Sequence, residues 1–214
     1  MNDIMEQVRS GRIIAIVRGL EGEHMLGLTG ALYEGGITMM EVTFNQSDPS
    51  KWVETTDAIR LISDRYAGKI AVGAGTVMTV EQLHLACDAG ARYIIAPDVN
   101  VDVIRETKRL GLASFPGAMT PTECVTAYNA GADAVKVFPA GQLGPGYIKA
   151  LKAPLSHIPM LAVGGVNEKN AADFIKAGCI GLGVGGMLVN GELVRRGELD
   201  KISALAREYK KAVE

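Results

Sequence analysis

The sequence predicts an α/β fold, a (β/α)8 barrel of the TIM type preceded by a short N-terminal helix. Three observations predict it. Short apolar runs alternate with amphipathic stretches about eight times, at roughly 20–30 residues per repeat. The runs are nearly unbroken, as in Ile13-Ile14-Ala15-Ile16-Val17, which is the composition of strands buried on both faces of a parallel sheet. The 26 glycines stand at the junctions instead of in clusters. Parallel crossovers share one hand, so successive units curl the same way and eight can close. The alternative is an open doubly wound sheet. Against it, no G-x-G-x-x-G follows the first strand.

The elements follow in order. Met1 to Gly11 forms a leading helix with Ile4, Met5 and Val8 on one face. Arg12 to Val17 is the first strand, and a helix runs from about Glu21 to Glu34, closed by Gly35-Gly36. Met39 to Thr43 is the second strand, and Asp48-Pro49 signals a helix that reaches about Tyr66. Ile70 to Ala74 is the third, followed by a helix capped by Thr79 in a capping-box pattern with Gln82 and stopped at Gly90. Tyr93 to Ala96 and Leu112 to Phe115 are the fourth and fifth, with helices to about Leu110 and from Thr120-Pro121 to Gly131. Ala134 to Phe138 is the sixth, followed by a loop from Pro139 to Gly144 and a helix to about Lys152. Met160 to Val163 and Ile180 to Val184 complete the strands. Asn167 starts a helix closed by Gly178, and a last helix spans about Leu199 to Val213.

The chain has 214 residues, 48% hydrophobic and 21% charged, with a formal net charge of -2. With no Pro/Ser-rich linker, residues 1–214 read as one domain. The charge balance carries no nucleic-acid footprint and no basic run for a membrane surface. No segment approaches the ~20 apolar residues of a membrane span, and the N-terminus lacks an apolar signal region. Cys87, Cys124 and Cys179 are far apart and read as reduced thiols of a cytoplasmic protein. His24, His84 and His157 form no metal-ligand pair, so neither a metal nor another cofactor is expected.

The most informative single position is Lys136, within Ala134-Val135-Lys136-Val137-Phe138-Pro139. An ordinary lysine, with a pKa of ~10.4, is neutral only to about one part in 2,500 at pH 7. Burial lowers that pKa and turns the amine into a nucleophile toward a carbonyl. The alternative is a strand lysine that snorkels to solvent. A barrel decides between them, because its active site lies at the C-terminal ends of the strands. Arg18, Glu41, Thr76, Pro97, Pro116, Lys136, Gly164-Gly165 and Gly185-Gly186 all fall there. Glu41 inside a strand reads as a proton-relaying base for Lys136 or as its structural ion-pair partner. The two Gly-Gly pairs suit a phosphate, since glycine lets backbone N–H groups approach an anion. Arg18 suits a bidentate carboxylate or phosphate contact, or is a surface arginine. Phe138 and Pro97 count with the substrate-binding candidates.

Glu41-Val42-Thr43, Gly73-Ala74-Gly75-Thr76, Ala96-Pro97, Pro116-Gly117, Lys136-Val137-Phe138-Pro139 and Gly164-Gly165 recur in this order in a known family. Over nearly its whole length the chain resembles the 2-keto-3-deoxy-6-phosphogluconate and 4-hydroxy-2-oxoglutarate aldolases. The resemblance implies a metal-free, homotrimeric class I aldolase acting on a small 2-keto sugar acid. It implies Lys136 as Schiff-base lysine, Glu41 as acid/base, Thr76 as a carboxylate contact and the glycine loops as the phosphate site. Three positions depart from the gluconate-type pattern: Asn45 stands where arginine is usual, Val163 for threonine and Gly186 for serine. The 2-dehydro-3-deoxy-6-phosphogalactonate branch is similar in its Asn, its Val and its Arg-Gly, here Arg18-Gly19. The competing functions are 4-hydroxy-2-oxoglutarate cleavage, a non-imine phosphosugar isomerase or epimerase, and a silent sugar-acid-binding barrel.

Overall fold

The computed structural model describes residues 3–20 and 22–214. Its strands are β1 (Ile13–Val17), β2 (Met39–Thr43), β3 (Ala71–Gly75), β4 (Tyr93–Ile95), β5 (Ala113–Phe115), β6 (Gly117–Ala118), β7 (Val135–Val137), β8 (Met160–Val163) and β9 (Gly181–Val184). They form one sheet ordered β5-β4-β3-β2-β1-β9-β8-β7-β6, and every pair is parallel. The two ends of that order are halves of one strand, separated by Pro116. Proline has no N–H for the ladder, but the Pro116 carbonyl accepts the Lys136 N–H at 2.9 Å. The chain pairs with β4 before Pro116 and with β7 after it, so the sheet returns on itself as the expected eight-stranded barrel.

Side chains alternate across each strand. Ile14, Ile16, Met39, Tyr93, Phe115 and Leu161 fill the interior. Ile13, Ala15, Met40, Val42, Val72 and Leu182 pack outward against helices. The period of two puts Glu41 on the side of Met39, Lys136 on that of Ala134, and Arg18 on that of Ile14 and Ile16. All three therefore face inward, toward the barrel axis.

The helix α1 (Asp3–Gly11) closes the N-terminal end, where Ile4 and Val8 join the interior cluster. Val8 packs 3.0 Å from where a Cβ on Gly181, the first residue of β9, would stand. The rest are α2 (Gly22–Glu34), α3 (Trp52–Arg65), α4 (Val80–Asp88), α5 (Val101–Arg109), α6 (Pro121–Asn129), α7 (Ala140–Lys152), α8 (Ala171–Lys176), α9 (Gly191–Arg195) and α10 (Leu199–Val213). No described helix is long and apolar enough to cross a membrane.

Several local expectations need correction. Met1, Asn2 and the expected helix start at Glu21 lie outside the described residues. The expected loop from Pro139 to Gly144 holds a helical turn from Ala140, broken at Gly144 (φ 77°, ψ 165°) where Pro145 begins the rest of α7. A residue before proline disfavours the α conformation, so the break falls there. The box expected at Thr79 is only half formed. Thr79 accepts the Gln82 N–H, but the Gln82 side chain accepts from Met78 instead. Thr120 and Glu123 make the complete box. Asn167 caps a turn through the N–H groups of Lys169 and Asn170, and α8 begins only at Ala171. The short α9, capped by Asn190, was not anticipated.

Candidate active site

A cleft of about 930 Å³ opens at the C-terminal ends of the strands. Arg18, Thr76, Pro97, Lys136, Phe138, Gly164, Gly165, Gly185 and Gly186 all line it. Pro116 does not, being spent on barrel closure. Glu41 lies beneath the cleft floor, with 1% of its surface exposed.

Lys136 is 6% exposed, and its Nζ lies 5.3 Å from the centre of the Phe138 ring. Burial lowers its pKa; the Glu41 carboxylate pushes back upward and Arg18 adds to the lowering. Glu41 is shifted the opposite way. Burial raises its pKa, against the opposing pull of Lys136 and then Arg18. Desolvation thus outweighs mutual attraction on both partners. No direct ion pair joins the two among the described residues, and Glu41 Oε2 has no hydrogen-bond partner there. Their coupling acts across space, so of the two readings of Glu41 the direct ion pair is not the one formed.

The Gly73-Ala74-Gly75 motif has a steric cause. Gly73 pairs with Glu41 in register, and both glycines face inward. A Cβ on Gly73 would stand 2.3 Å from the Tyr93 ring, and one on Gly75 would stand 1.7 Å from Glu41 Oε1. The two vacated positions hold the aromatic ring and the carboxylate. The Tyr93 hydroxyl donates to the Met40 carbonyl at 2.6 Å, which fixes the ring beside Glu41. Thr76 follows at φ 56°, a left-handed conformation that is rare for a β-branched residue.

The two glycine pairs differ. Gly164 and Gly165 have φ of 87° and 75°. The Gly141 N–H donates to the Gly164 carbonyl at 2.7 Å, and a Cβ on Gly141 would lie 2.7 Å from Gly165 Cα. Asn170 Nδ2 donates to the Gly165 carbonyl at 3.0 Å. Gly186 is open, with nothing within 4 Å of a Cβ there. Among the described residues the N–H groups of Gly165, Val166, Gly186 and Met187 donate to no acceptor in the chain. Free N–H groups on a cleft wall can receive an anion.

A wall not anticipated from the sequence is supplied by Gln46 and Lys51 of the β2–α3 connection and by Glu54 and Thr55 in the first turn of α3. Lys51 is half exposed and pairs with Glu54 at 3.7 Å. The available signal was position, since Asp48-Pro49 begins a helix directly after a strand end. Among the described residues no group of three His, Cys, Asp or Glu side chains could hold a metal ion.

Comparison with known proteins places this geometry. The family model described as "Aldolase: KDPG and KHG aldolase" matches residues 4–205. The chain is 39% identical over 204 residues to the 2-dehydro-3-deoxy-6-phosphogalactonate aldolase of Escherichia coli (strain K12), covering 94% of this chain and 96% of that one. A solved structure described as "Native KDPGal structure" has a TM-score of 0.83 at 39% identity, over 94% of this chain and 93% of the other. A KDPG aldolase from Legionella Pneumophila, with pyruvate captured at low pH as a covalent carbinolamine intermediate, has a TM-score of 0.85 at 25% identity. The match covers 95% of this chain and 96% of that one.

Proposed function

The chain belongs to the KDPG and KHG aldolase family, and we propose that it works as a class I aldolase through Lys136 and Glu41. The reaction is cleavage of a 2-keto-3-deoxy-6-phospho sugar acid to pyruvate and glyceraldehyde 3-phosphate. The observation that carries the assignment is Lys136, inward-facing, 6% exposed and lowered in pKa, above a buried carboxylate.

Neutral Lys136 Nζ adds to the C2 carbonyl, and the carbinolamine loses water to give a protonated imine. Glu41, through an intervening water, takes the proton of the C4 hydroxyl. The C3–C4 bond breaks, its electron pair moves into the C2 imine, and the aldehyde leaves. The remaining enamine takes a proton at C3 from Glu41. Water then hydrolyses the imine, releasing pyruvate and free Lys136. Arg18 and Thr76 hold the carboxylate or the distal oxygens. The N–H groups at Gly165 and Gly186 receive the phosphate, and Pro97, Phe138, Gly164 and Gly185 shape the walls. Asn45, Val163 and Arg18-Gly19 favour a galactonate-type substrate. The protein acts in sugar-acid degradation as one barrel domain, in the cytoplasm and as a homotrimer, which sedimentation of the purified chain checks.

Pyruvate and borohydride test the chemistry. Mass spectrometry is expected to find one reduced pyruvate per chain, and none on Lys136→Ala. No adduct on the unaltered protein, or one that survives Lys136→Ala, rules the assignment out. Glu41→Gln is expected to trap pyruvate yet lose most turnover. A coupled assay of gluconate-, galactonate- and hydroxyglutarate-type substrates decides the far end of the acid.

A further inference from the structure

We infer that Gln46 and Gln82 are positioning residues for Thr76: their side-chain amides form a one-way hydrogen-bond relay that holds the Thr76 backbone where its side chain meets the substrate carboxylate. The inference rests on the aldolase assignment above and deepens it.

Thr76 needs such a device. It follows Gly75 directly and sits at φ 56°, a conformation that persists in a β-branched residue only when its surroundings hold it. Its flanks are pinned, since the Phe44 N–H donates to the Gly75 carbonyl at 2.9 Å and the Val77 N–H to the Ile95 carbonyl at 3.2 Å. The Thr76 carbonyl itself accepts from Gln46 Nε2 at 2.6 Å. Gln46 Oε1 in turn accepts from Gln82 Nε2 at 3.1 Å. Gln82 Oε1 accepts the Met78 N–H at 2.8 Å.

The chain of bonds reads in one direction only. Met78 N–H is a donor, so it must face the Gln82 oxygen. That leaves the Gln82 nitrogen for the Gln46 oxygen, and the Gln46 nitrogen for the Thr76 carbonyl, which can only accept. Turning either amide over sets two donors or two acceptors face to face. A helix-capping role for Gln82 accounts for its oxygen alone. Its nitrogen, on a side chain with 0% exposure in the first turn of α4, is aimed across to the β2–α3 segment. Gln46 lines the cleft and Gln82 does not. Substitutions at Gln82 therefore probe the relay apart from any direct contact with substrate.

The test uses the full chain and Gln82→Glu. The new carboxylate keeps the shape and the acceptor for Met78 N–H, but at neutral pH it has no donor for Gln46. Losing one positioning hydrogen bond is expected to raise KM, and the pyruvate concentration for half-maximal borohydride trapping, about tenfold, with kcat within about twofold. A role confined to stability moves Tm and leaves that split untouched. Gln46→Ala is expected to give the same rise, and the double variant no further rise, because both break one path. Gln46 stands on an exposed wall, so its variant reads out even if Gln82→Glu does not fold. Unaltered KM and half-saturation in a folded variant, or additive rises in the double variant, overturn the relay. If the unaltered protein traps no pyruvate, the aldolase assignment falls; if it traps and the variants match it, the relay alone falls.

Discussion

Glu41 Oε1 occupies the space that a side chain on Gly75 would need, 1.7 Å from where its Cβ would stand. The contact crosses neighbouring strands, so the carboxylate is placed by an absence in β3 as much as by its own strand. Gly75→Ala forces Glu41 to move or the strands to part. Overpacking of this kind costs about 1–3 kcal/mol, and each kcal/mol lowers Tm by roughly 2–4 °C in a chain of this size. Calorimetry is expected to find that drop, together with a fall in turnover larger than the fall in pyruvate trapping. Full turnover in Gly75→Ala contradicts the placement.

The opposite shifts of Lys136 and Glu41 predict how trapping depends on pH. The Lys136 pKa lies below 10.5, held up by Glu41 and lowered further by Arg18. Removing the carboxylate in Glu41→Gln moves the trapping midpoint to lower pH. Removing the cation in Arg18→Leu moves it to higher pH. Rates of borohydride-trapped adduct at saturating pyruvate, taken across pH, read both shifts. Midpoints moving together, or in reverse, refute the coupling.

Stability follows the same signs. The folded pKa of Glu41 is raised above its ordinary 4.5, so the folded state binds more protons than the unfolded state between those values. Its contribution is full below 4.5, and it is lost as pH rises through the shifted value. Tm is therefore expected to decline with pH across that window, and the decline is expected to flatten in Glu41→Gln. An equal slope in both proteins counts against a shifted Glu41.

Much of this was legible in the sequence because burial leaves a pattern. The apolar runs located the eight barrel strands, and Lys136 and Glu41 stood out as the charged residues inside them. Lys136 stood out because a cation inside Val135 and Val137 is costly to bury. What escaped were features set by long-range contact. The division of one strand at Pro116 depends on pairing with β4 and β7, which lie on opposite sides of it. The Gln46–Gln82 link joins residues 36 apart, and neither glutamine interrupts an apolar run. Whether Glu41 and Lys136 pair directly or act through a water was left open, because no sequence pattern specifies the separation across the barrel.

The capping box on α6 offers a control away from the cleft. Glu123 accepts from the N–H groups of Met119 and Thr120 at 2.8 Å each, and those bonds hold its pKa low. Thr120→Ala removes the reciprocal half of the box, a loss of about 0.5–2 kcal/mol. Tm is expected to fall by roughly 1–8 °C, with pyruvate trapping unaltered. Altered trapping would show that the β6–α6 junction reaches the site.

A substitution at Gly186 tests the proposed phosphate contact apart from the imine chemistry. Its φ lies outside the left-handed range and nothing stands within 4 Å of a Cβ there, so a side chain enters without strain. Serine is the residue that the gluconate-type pattern described above implies at this place. Gly186→Ser puts a hydroxyl beside the free N–H groups of Gly186 and Met187, where it can donate to a phosphate oxygen. A hydrogen bond to a charged group contributes about 1.5–3 kcal/mol in full, and an exposed cleft wall retains only part of it. An increase of about fivefold in kcat/KM for the phosphorylated substrate is expected. Trapping of pyruvate, which has no phosphate, is expected to stay as it was. An equal gain with the unphosphorylated acid would move the phosphate elsewhere in the cleft, and Lys51, which also lines it, is then the cation to substitute next.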